Sequence, residues 1–517
     1  MEPKSRRDFL ADVGKGMLTA SVGSALVSDL GLSALADTGG KRLEFGRLEP
    51  LADLLQDNSA ERMLPLVVGK LNDGTSLRDI VAAAALANAR TFGGEDYIGF
   101  HAFMALAPAY EMTNEMPSER KALPVLKVLY RSTNQIQAKG GRSAEVLHPI
   151  EAGELPALEA RRDALREAVR RQDLSGAESL FAGLAAKSPI EAYNEVQGII
   201  QDETDVHRTV LAYRAWDLLG ITGKEHALTT LRQSVHYCVD VEKRRAANHY
   251  PESGIRKALP KLVDSYKLDT RKPGTRQADD KWILALCAKM ISSPPEVAAE
   301  AVASAIADGY SLDAIGEALS LGATHRVIRD PGRAQAYPGK PVGSVHGDST
   351  GVHASDSMNA WRNMARASSH YNALTGLVVA GYHLAFAKSS EWDKSQPYSV
   401  LNNQPEIKAQ DSSALLRELD GAIRENNQAR ASAIVQRYGE LGHAAKPVFA
   451  ILLRYATSED GALHAEKYYH TVSEEFGRTR KAYKWDHLVA LARVTASEYG
   501  KRADGYEQAC GLLKVNA

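Results

Sequence analysis

Two stretches of the 517-residue chain repeat one another, and this repetition constrains the fold more than any other feature of the sequence. Residues 71–90 are LNDGTSLRDIVAAAALANAR, and residues 306–325 are IADGYSLDAIGEALSLGATH. At a constant offset the two stretches share an Asp-Gly turn, a serine suited to capping a helix, and apolar residues three and four positions apart. Such internal self-similarity is typical of a duplicated structural unit.

The similarity extends to three pairs of histidines that keep their order in both halves of the chain. The pairs are His101 with His353, His207 with His443, and His226 with His464. The intervening sequence is rich in Ala, Leu, Glu and Arg at helical spacing, with almost no alternating strand pattern. The sequence therefore predicts an all-α fold in which two tandem, pseudo-symmetric helical repeats form one large helical body.

The repeat also sets the predicted boundaries. The first helical repeat spans 45–265, the second spans 283–512, and the polar segment 266–282 is the predicted linker. Ahead of His353 the second copy carries an insertion rich in proline and glycine, which includes His346. Because a long irregular loop inside a compact domain is more often functional than neutral, we expect a lid or entrance loop there.

Residues 1–36 resemble a bacterial twin-arginine export signal. The paired Arg6 and Arg7 are followed by a mildly apolar stretch and then by an Ala-x-Ala cleavage pattern at residues 34–36. The resemblance implies a periplasmic or secreted protein that the twin-arginine export machinery carries in its folded state. Common clients of that machinery load a metal or organic cofactor before they cross the membrane. No later run approaches the roughly 18 apolar residues of a membrane span.

Charge and cysteine content exclude several classes of function. Lys and Arg total 63 against 64 for Asp and Glu, so the summed positive field of a nucleic-acid-binding protein is missing. The three cysteines are far apart and form neither a CxxC pair nor a CxxCH haem motif. The sequence also lacks GxSxG, HExxH and a phosphate-binding glycine loop. Any metal must therefore be held by nitrogen and oxygen ligands, which directs attention to the 15 histidines.

Two copies packed about a pseudo-twofold axis would bring equivalent histidines close to that axis, so that two pairs build one site of four imidazoles. The predicted ligands of iron or another divalent transition metal are His101, His207, His353 and His443. Lys446 is an additional candidate ligand if it is buried. A second tier of candidates comprises His226, His464 and His346. The acidic residues Asp205 and Glu225 are candidates for orienting neighbouring imidazoles.

Three short segments resemble the questin oxidase-like family. They are GFHAFMALAPAYEMTNE, VHASDSMNAWRNMAR, and HAAK at His443 to Lys446, which is similar to a His-x-x-Lys segment of that family. Members are all-α and are linked to the oxidation of aromatic polyketides. The resemblance implies a non-haem iron site of histidines, with a carboxylated lysine as a further ligand, and it points to His101, His353, His443 and Lys446. The prediction that His207 is a ligand depends on the internal repeat alone.

These observations together predict an exported metal-dependent oxidoreductase that acts on an aromatic or other organic small molecule with dioxygen. Two alternatives stay open. The first is a non-catalytic periplasmic repeat or binding protein, because a histidine on an apolar face is usually a structural residue bonded to a carbonyl or carboxylate. The second is a haem protein with an axial histidine. The sequence leaves the substrate, the metal and the oligomeric state undetermined.

Overall fold

The computed structural model describes residues 42–337, 340–347, 349–387 and 404–517. The predicted export signal, residues 1–36, lies outside this part of the chain. Every regular element within it is a helix, and extended segments there form only isolated bridges such as that of Gly274 with Ser311. The prediction of an all-α fold is confirmed.

The described chain contains 22 helices of eight or more residues. The helices before residue 270 are α1 (Glu49–Asp57), α2 (Ala60–Asn72), α3 (Leu77–Phe92), α4 (Tyr97–Met112), α5 (Leu123–Ala138), α6 (Arg161–Arg170), α7 (Leu174–Lys187), α8 (Pro189–Ile200), α9 (Val206–Asp217), α10 (Ala227–Ala247) and α11 (Ile255–Tyr266). The later helices are α12 (Asp280–Ser292), α13 (Pro295–Ala307), α14 (Leu312–Arg329), α15 (Thr350–Ala367), α16 (His370–Phe386), α17 (Ser412–Arg424), α18 (Gln428–Glu440), α19 (Lys446–Ser458), α20 (His464–Arg478), α21 (Lys484–Glu498) and α22 (Tyr506–Leu513).

The serines of the repeated stretches cap the helices that follow them, as predicted. The Ser76 hydroxyl accepts a hydrogen bond of 3.0 Å from the backbone N–H of Asp79 at the start of α3. The Ser311 hydroxyl accepts an equivalent bond of 3.2 Å from Ala314 at the start of α14. Such a bond satisfies one of the four backbone donors that a helix start leaves without an internal partner. Beyond the caps both helices are almost entirely buried.

Apolar side chains from both predicted repeats share the larger of two buried cores. This core joins helices on either side of the linker, for example Leu86 of α3 and Leu321 of α14. A smaller core fills the region of α17 to α21 and includes Leu419, Val448 and Leu488. The two halves are therefore packed into one body, while their symmetry relation stays a prediction. Among the described helices, none has both the length and the apolar character that crossing a bilayer requires.

A histidine outside the predicted site links three helices in the second half of the chain. His325 of α14 lies with Nε2 2.9 Å from an Asp486 carboxylate oxygen and Nδ1 3.7 Å from the Cys287 sulfur. Burial alone would lower its pKa, but the hydrogen bonds to Asp486 and Cys287 outweigh burial and raise the pKa of His325 to about 9. The half-buried ring is therefore placed to carry a positive charge beside Asp486 at neutral pH.

This raised pKa predicts a loss of stability in alkaline solution. A histidine whose pKa is higher in the folded than in the unfolded state stabilises the fold fully below pH ~6.5, and the effect disappears as the pH rises through about 9. We expect the free energy of unfolding, measured with urea, to fall by up to ~3 kcal/mol across this window. The fall should be much smaller in Asp486→Asn. An equal pH dependence in both proteins would contradict the assignment.

Candidate metal centre

Four helices begin around one interior point, and each carries a histidine in its first two turns. The histidines are His101 of α4, His207 of α9, His353 of α15 and His464 of α20. Side chains cap three of these helices through Asp96, Asp205 and Ser349, which fixes where each helix starts. Because a helix N-terminus carries a partial positive charge, the four starts together favour neutral imidazoles and an anionic ligand.

The four imidazole rings form a closed circuit. Ring centroids are 4.8 Å apart between His101 and His207, and 5.6 Å between His207 and His353. The circuit continues at 5.2 Å from His353 to His464 and closes at 5.0 Å from His464 back to His101. His101, His207 and His464 are buried, and His353 is partly exposed. Two rings come from each predicted repeat.

Three of the rings are held through Nδ1, which turns Nε2 towards the circuit. Nδ1 of His101 donates to the Tyr97 carbonyl at 2.7 Å, and Nδ1 of His464 lies 3.1 Å from the Ala462 carbonyl. Nδ1 of His207 lies 3.5 Å from a carboxylate oxygen of Asp205. An imidazole that donates through Nδ1 keeps the Nε2 lone pair for another partner, as metal-binding histidines do.

The four Nε2 atoms fall into two pairs with different surroundings. Nε2 of His353 and Nε2 of His464 lie 3.1 Å apart. Two ligands that bind one metal at about 2.0–2.1 Å and at 90–109° are separated by ~2.9–3.4 Å, so this spacing suits a shared ion. The Nε2 atoms of His101 and His207 are buried without a hydrogen-bond partner in the described structure. Buried polar atoms normally have partners, so these two point to a missing group.

The four nitrogens do not yet surround a single point. Across the described ranges, no group of three or more His, Cys, Asp or Glu side chains is arranged to hold a metal ion as it stands. The donor set nevertheless fits a metal by its chemistry, because four imidazole rings with centroids 4.8–5.6 Å apart surround one interior space.

Electrostatics keep the imidazoles in the form that binds metal. Burial lowers the pKa of His101 and that of His464 well below the usual value, and the charge of Lys467 lowers both pKa values further. These two rings are therefore neutral across the physiological range, so that no proton competes with a metal for Nε2.

Asp205 is the acidic residue that the sequence correctly places behind a ligand candidate. It accepts hydrogen bonds from the His207 backbone N–H at 2.9 Å and from the Tyr237 hydroxyl at 2.7 Å. Burial alone would raise its pKa, but the hydrogen bond and charge of His207 outweigh this and hold the pKa of Asp205 well below its usual range. The half-buried carboxylate is thus ionised, and it lies 3.5 Å from Nδ1 of the His207 ring. Glu225 is exposed and orients none of the four rings.

Backbone strain precedes His464. The three residues before it, Gly461, Ala462 and Leu463, have φ values of 51°, 47° and 66°. Left-handed conformations at residues other than glycine cost about 1–3 kcal/mol each and are concentrated at functional sites. Here the strained turn places the Ala462 carbonyl against Nδ1 of His464 and aims the ring into the circuit.

A buried lysine and a buried aspartate lie one helical turn beyond the histidines. Lys467 follows His464 by three residues and is 3% exposed, and Asp356 follows His353 by three residues and is 4% exposed. Burial lowers the pKa of Lys467 to about 8, although the charges of Asp356 and Glu466 oppose the shift. The site therefore contains an amine that is partly neutral at mildly alkaline pH.

The sequence prediction needs one correction, because the structure does not bring His443 and Lys446 to the other imidazoles. Nε2 of His443 lies 2.8 Å from the Gln410 carbonyl near the surface, and Lys446 is exposed. The physical reason is that α19 packs the side that carries Val448 and Leu452 into the smaller core, whereas residues 443–446, which lead into the helix, stay partly or fully exposed. His464, placed in the second tier, completes the circuit instead.

The other second-tier histidines lie elsewhere. His226 is half-buried in the turn before α10, with its ring 5.9 Å from that of Phe45. His346 is buried in the loop between α14 and α15, where its carbonyl accepts a hydrogen bond from Ser349. Neither ring belongs to the circuit of four. The signal that sequence reasoning passed over is a second His-x-x-Lys segment, HAEK, at His464 to Lys467.

Comparison of the chain with protein families, curated proteins and solved structures found no match. The site geometry therefore carries the functional argument.

The predicted loop touches the site directly. The backbone N–H of Gly347 donates to Glu498 at 2.8 Å, and the Gly347 Cα lies so close to His464 that an added Cβ would be 2.3 Å from the His464 Cβ. The loop leads into α15, which carries His353. The loop therefore contacts His464 and leads directly into the helix that carries His353, while its role as a lid or entrance stays a prediction.

This close approach gives a steric test. Gly347→Ala must displace either the loop or His464, so we expect a loss of about 1–3 kcal/mol in the free energy of unfolding and weaker metal binding. Gly477→Ala in α20 is the matched control, because a Cβ there meets nothing within 4 Å. That variant should be neutral or slightly more stable. Unchanged stability and metal binding in Gly347→Ala would show that the loop does not rest on His464.

Proposed function

We propose that the chain is an exported non-haem iron oxidoreductase of the questin oxidase-like type, which oxidises an aromatic or other organic substrate with dioxygen. The observation that carries this proposal is the circuit of His101, His207, His353 and His464, in which three Nδ1 atoms are anchored and the Nε2 atoms of His353 and His464 lie 3.1 Å apart. The buried Nε2 atoms of His101 and His207 have no hydrogen-bond partner among the described residues, whereas a structural histidine usually has a partner for each nitrogen.

The ligand set favours a redox-active transition metal. Imidazole nitrogen suits iron, copper, nickel and zinc, whereas magnesium and calcium prefer oxygen. When bound, iron supplies the redox chemistry of dioxygen, which protein side chains do not provide. The protein residues bind and orient that ion, exclude bulk water through burial, and keep two of the rings unprotonated.

Lys467 takes the place that the family resemblance assigned to Lys446. The resemblance concerns a His-x-x-Lys segment, and of the two such segments in the chain only His464 to Lys467 lies at the imidazoles. A lysine carboxylated on Nζ carries a negative charge, which would offset the charge that four neutral imidazoles leave on a divalent ion. The four helix N-termini around the site favour the same anion.

The export signal supports the same function. A protein that crosses the membrane folded can acquire iron in the cytoplasm, where the metal is delivered under reducing conditions. The paired arginines at Arg6 and Arg7 and the Ala-x-Ala pattern fit that route. Localisation in the periplasm or outside the cell therefore belongs to the proposal.

Metal analysis tests the proposal. Protein purified after folding in the cytoplasm should contain about one equivalent of iron by plasma mass spectrometry, and the iron-reconstituted protein should bind nitric oxide, a dioxygen analogue, with a paramagnetic resonance signal. Chelation followed by reloading should remove and restore both. Protein that neither contains nor accepts a transition metal would instead support the binding protein with structural histidines, in which the contact between His353 and His464 is a hydrogen bond between imidazoles.

A further inference from the structure

A surface cleft of about 480 Å³ lies apart from the histidines and is lined by arginines and tyrosines. It is formed by the connection between α4 and α5, the end of α17, one face of α19, and the connection between α21 and α22. Its charged and aromatic lining residues are Glu115, Arg120, Arg424, Arg454, Tyr455, Tyr499, Arg502 and Tyr506. Small-molecule sites have volumes of roughly 300–1,000 Å³, so the cleft is large enough for an organic ligand.

The arginines are only partly neutralised by the protein. Asp420 is shared by Arg424, whose Nε lies 3.0 Å from one carboxylate oxygen, and by Arg454, which contacts the other oxygen. The Tyr455 hydroxyl donates to the same carboxylate at 2.7 Å. One negative charge therefore serves two guanidinium groups and a phenol. The two arginine side chains are 57% and 47% exposed, so their remaining N–H donors face the cleft and solvent.

The other charged residues do not remove this excess. Arg502 forms a 3.1 Å ion pair with Glu459, so that pair is neutral. Arg120 donates to the backbone carbonyl of Asn516, which carries no charge. Glu115 faces the cleft but accepts a hydrogen bond from the Tyr469 hydroxyl at 2.8 Å. The excess of positive charge is therefore local to Arg424 and Arg454, whose two guanidinium groups share the single carboxylate of Asp420.

Tyrosine rings provide flat surfaces beside these donors. Tyr455 and Tyr499 meet edge to face with centroids 5.4 Å apart and an interplanar angle of 90°. The Arg454 guanidinium lies 4.8 Å from the centroid of Tyr455, and Arg502 lies 5.3 Å from that of Tyr506. A planar guanidinium binds carboxylate through two parallel hydrogen bonds, while aromatic rings bind flat apolar groups.

We propose that this cleft is a binding site for an aromatic carboxylate. The carboxylate of the ligand would bind Arg424 and Arg454. Its negative charge would balance the second guanidinium group, because Asp420 can balance only one. The aromatic ring of the ligand would lie against Tyr455 and Tyr499. No side chain of the imidazole circuit lines the cleft, so the site is independent of the proposed oxidation and of whether metal is bound.

Isothermal titration calorimetry of the whole protein with 2-naphthoate tests the proposal, with neutral 2-naphthamide as the matched ligand. We expect saturable binding of the carboxylate, at least about tenfold weaker binding of the amide, and weakening by added salt. Arg424→Gln and Arg454→Gln should each weaken naphthoate binding about tenfold or more. Ala450→Trp, which fills the cleft without a change of charge, should abolish it. Arg366→Gln, an exposed arginine outside the cleft, should have no effect.

The variants replace half-exposed side chains, and equal thermal unfolding by circular dichroism would show that they are folded. Absence of saturable binding, equal affinity for acid and amide, or full binding by Arg424→Gln and Arg454→Gln would each overturn the proposal. Metal-free and iron-loaded protein should give the same affinity. If removal of the metal abolished naphthoate binding, the proposal would also be overturned, because the ligand would then bind at the histidines and not in the cleft.

Discussion

His464→Ala is expected to lower the affinity for iron at least ~100-fold, whereas His443→Ala leaves it unchanged. His464 provides one of the two Nε2 atoms that lie 3.1 Å apart, while Nε2 of His443 lies against the Gln410 carbonyl. Loss of a residue that merely orients a ligand already costs about 10–100-fold in metal affinity, so loss of the ligand should cost at least as much. Competition with a chromogenic chelator measures both affinities.

The two variants form a matched pair, because both remove an imidazole at the start of a helix in the second half of the chain. Circular dichroism of each metal-free protein would separate a loss of ligand from a loss of fold. If His443→Ala lowered the affinity for iron more than His464→Ala does, the circuit would not be the metal site. The ligands predicted from the repeat, which include His443, would then be favoured. Lys446→Met and Lys467→Met provide a second pair, in which only the Lys467 variant should bind iron more weakly.

Arg362→Ala should destabilise the fold by about 3–5 kcal/mol, the largest effect on stability that we predict. Arg362 of α15 forms an ion pair with Glu475 of α20, and the two side chains are 4% and 0% exposed. Burial alone would raise the pKa of Glu475, and the charge of Arg362 helps to hold it below its usual value. Without the guanidinium, the carboxylate is left buried and without its counter-charge. Equilibrium unfolding in urea measures the loss.

Arg366→Ala is the control, on the same helix and one turn further on. Its partner is Asp313, and the side chains are 46% and 63% exposed, so the pair should contribute no more than ~1 kcal/mol. Because α15 and α20 also carry His353 and His464, Arg362→Ala should weaken metal binding indirectly. If Arg362→Ala and Arg366→Ala lowered the free energy of unfolding by similar amounts, burial would not determine how much each ion pair contributes to stability.

Local features of the chain could be predicted well. Helical periodicity and the Ser76 and Ser311 caps follow from interactions within a few residues of each other, and all were found. The site was predicted in part for a similar reason. His101, His207 and His353 lie in the first two turns of helices, where short-range capping fixes the direction of the side chain.

The fourth histidine could not be predicted because its position depends on packing. The repeat paired His207 with His443, and each lies at the beginning of an apolar segment, so spacing along the chain offered no reason to prefer His464. Burial separates the two: His443 is partly exposed ahead of α19, whereas His464 is buried at the start of α20, after a strained turn. The same packing decides which of the two His-x-x-Lys segments is buried at the imidazoles.

The sequence by itself determined the all-α class, the helix starts, and three of the four histidines, because each follows from spacing and capping along the chain. Only the tertiary structure decided that His464 and Lys467 join the site. The positions of His464 and Lys467 depend on which helices begin inside the protein and which begin at its surface. Contacts between residues that are hundreds of positions apart in the sequence determine this. For the same reason, the excess of arginine over carboxylate in the surface cleft becomes visible only after folding.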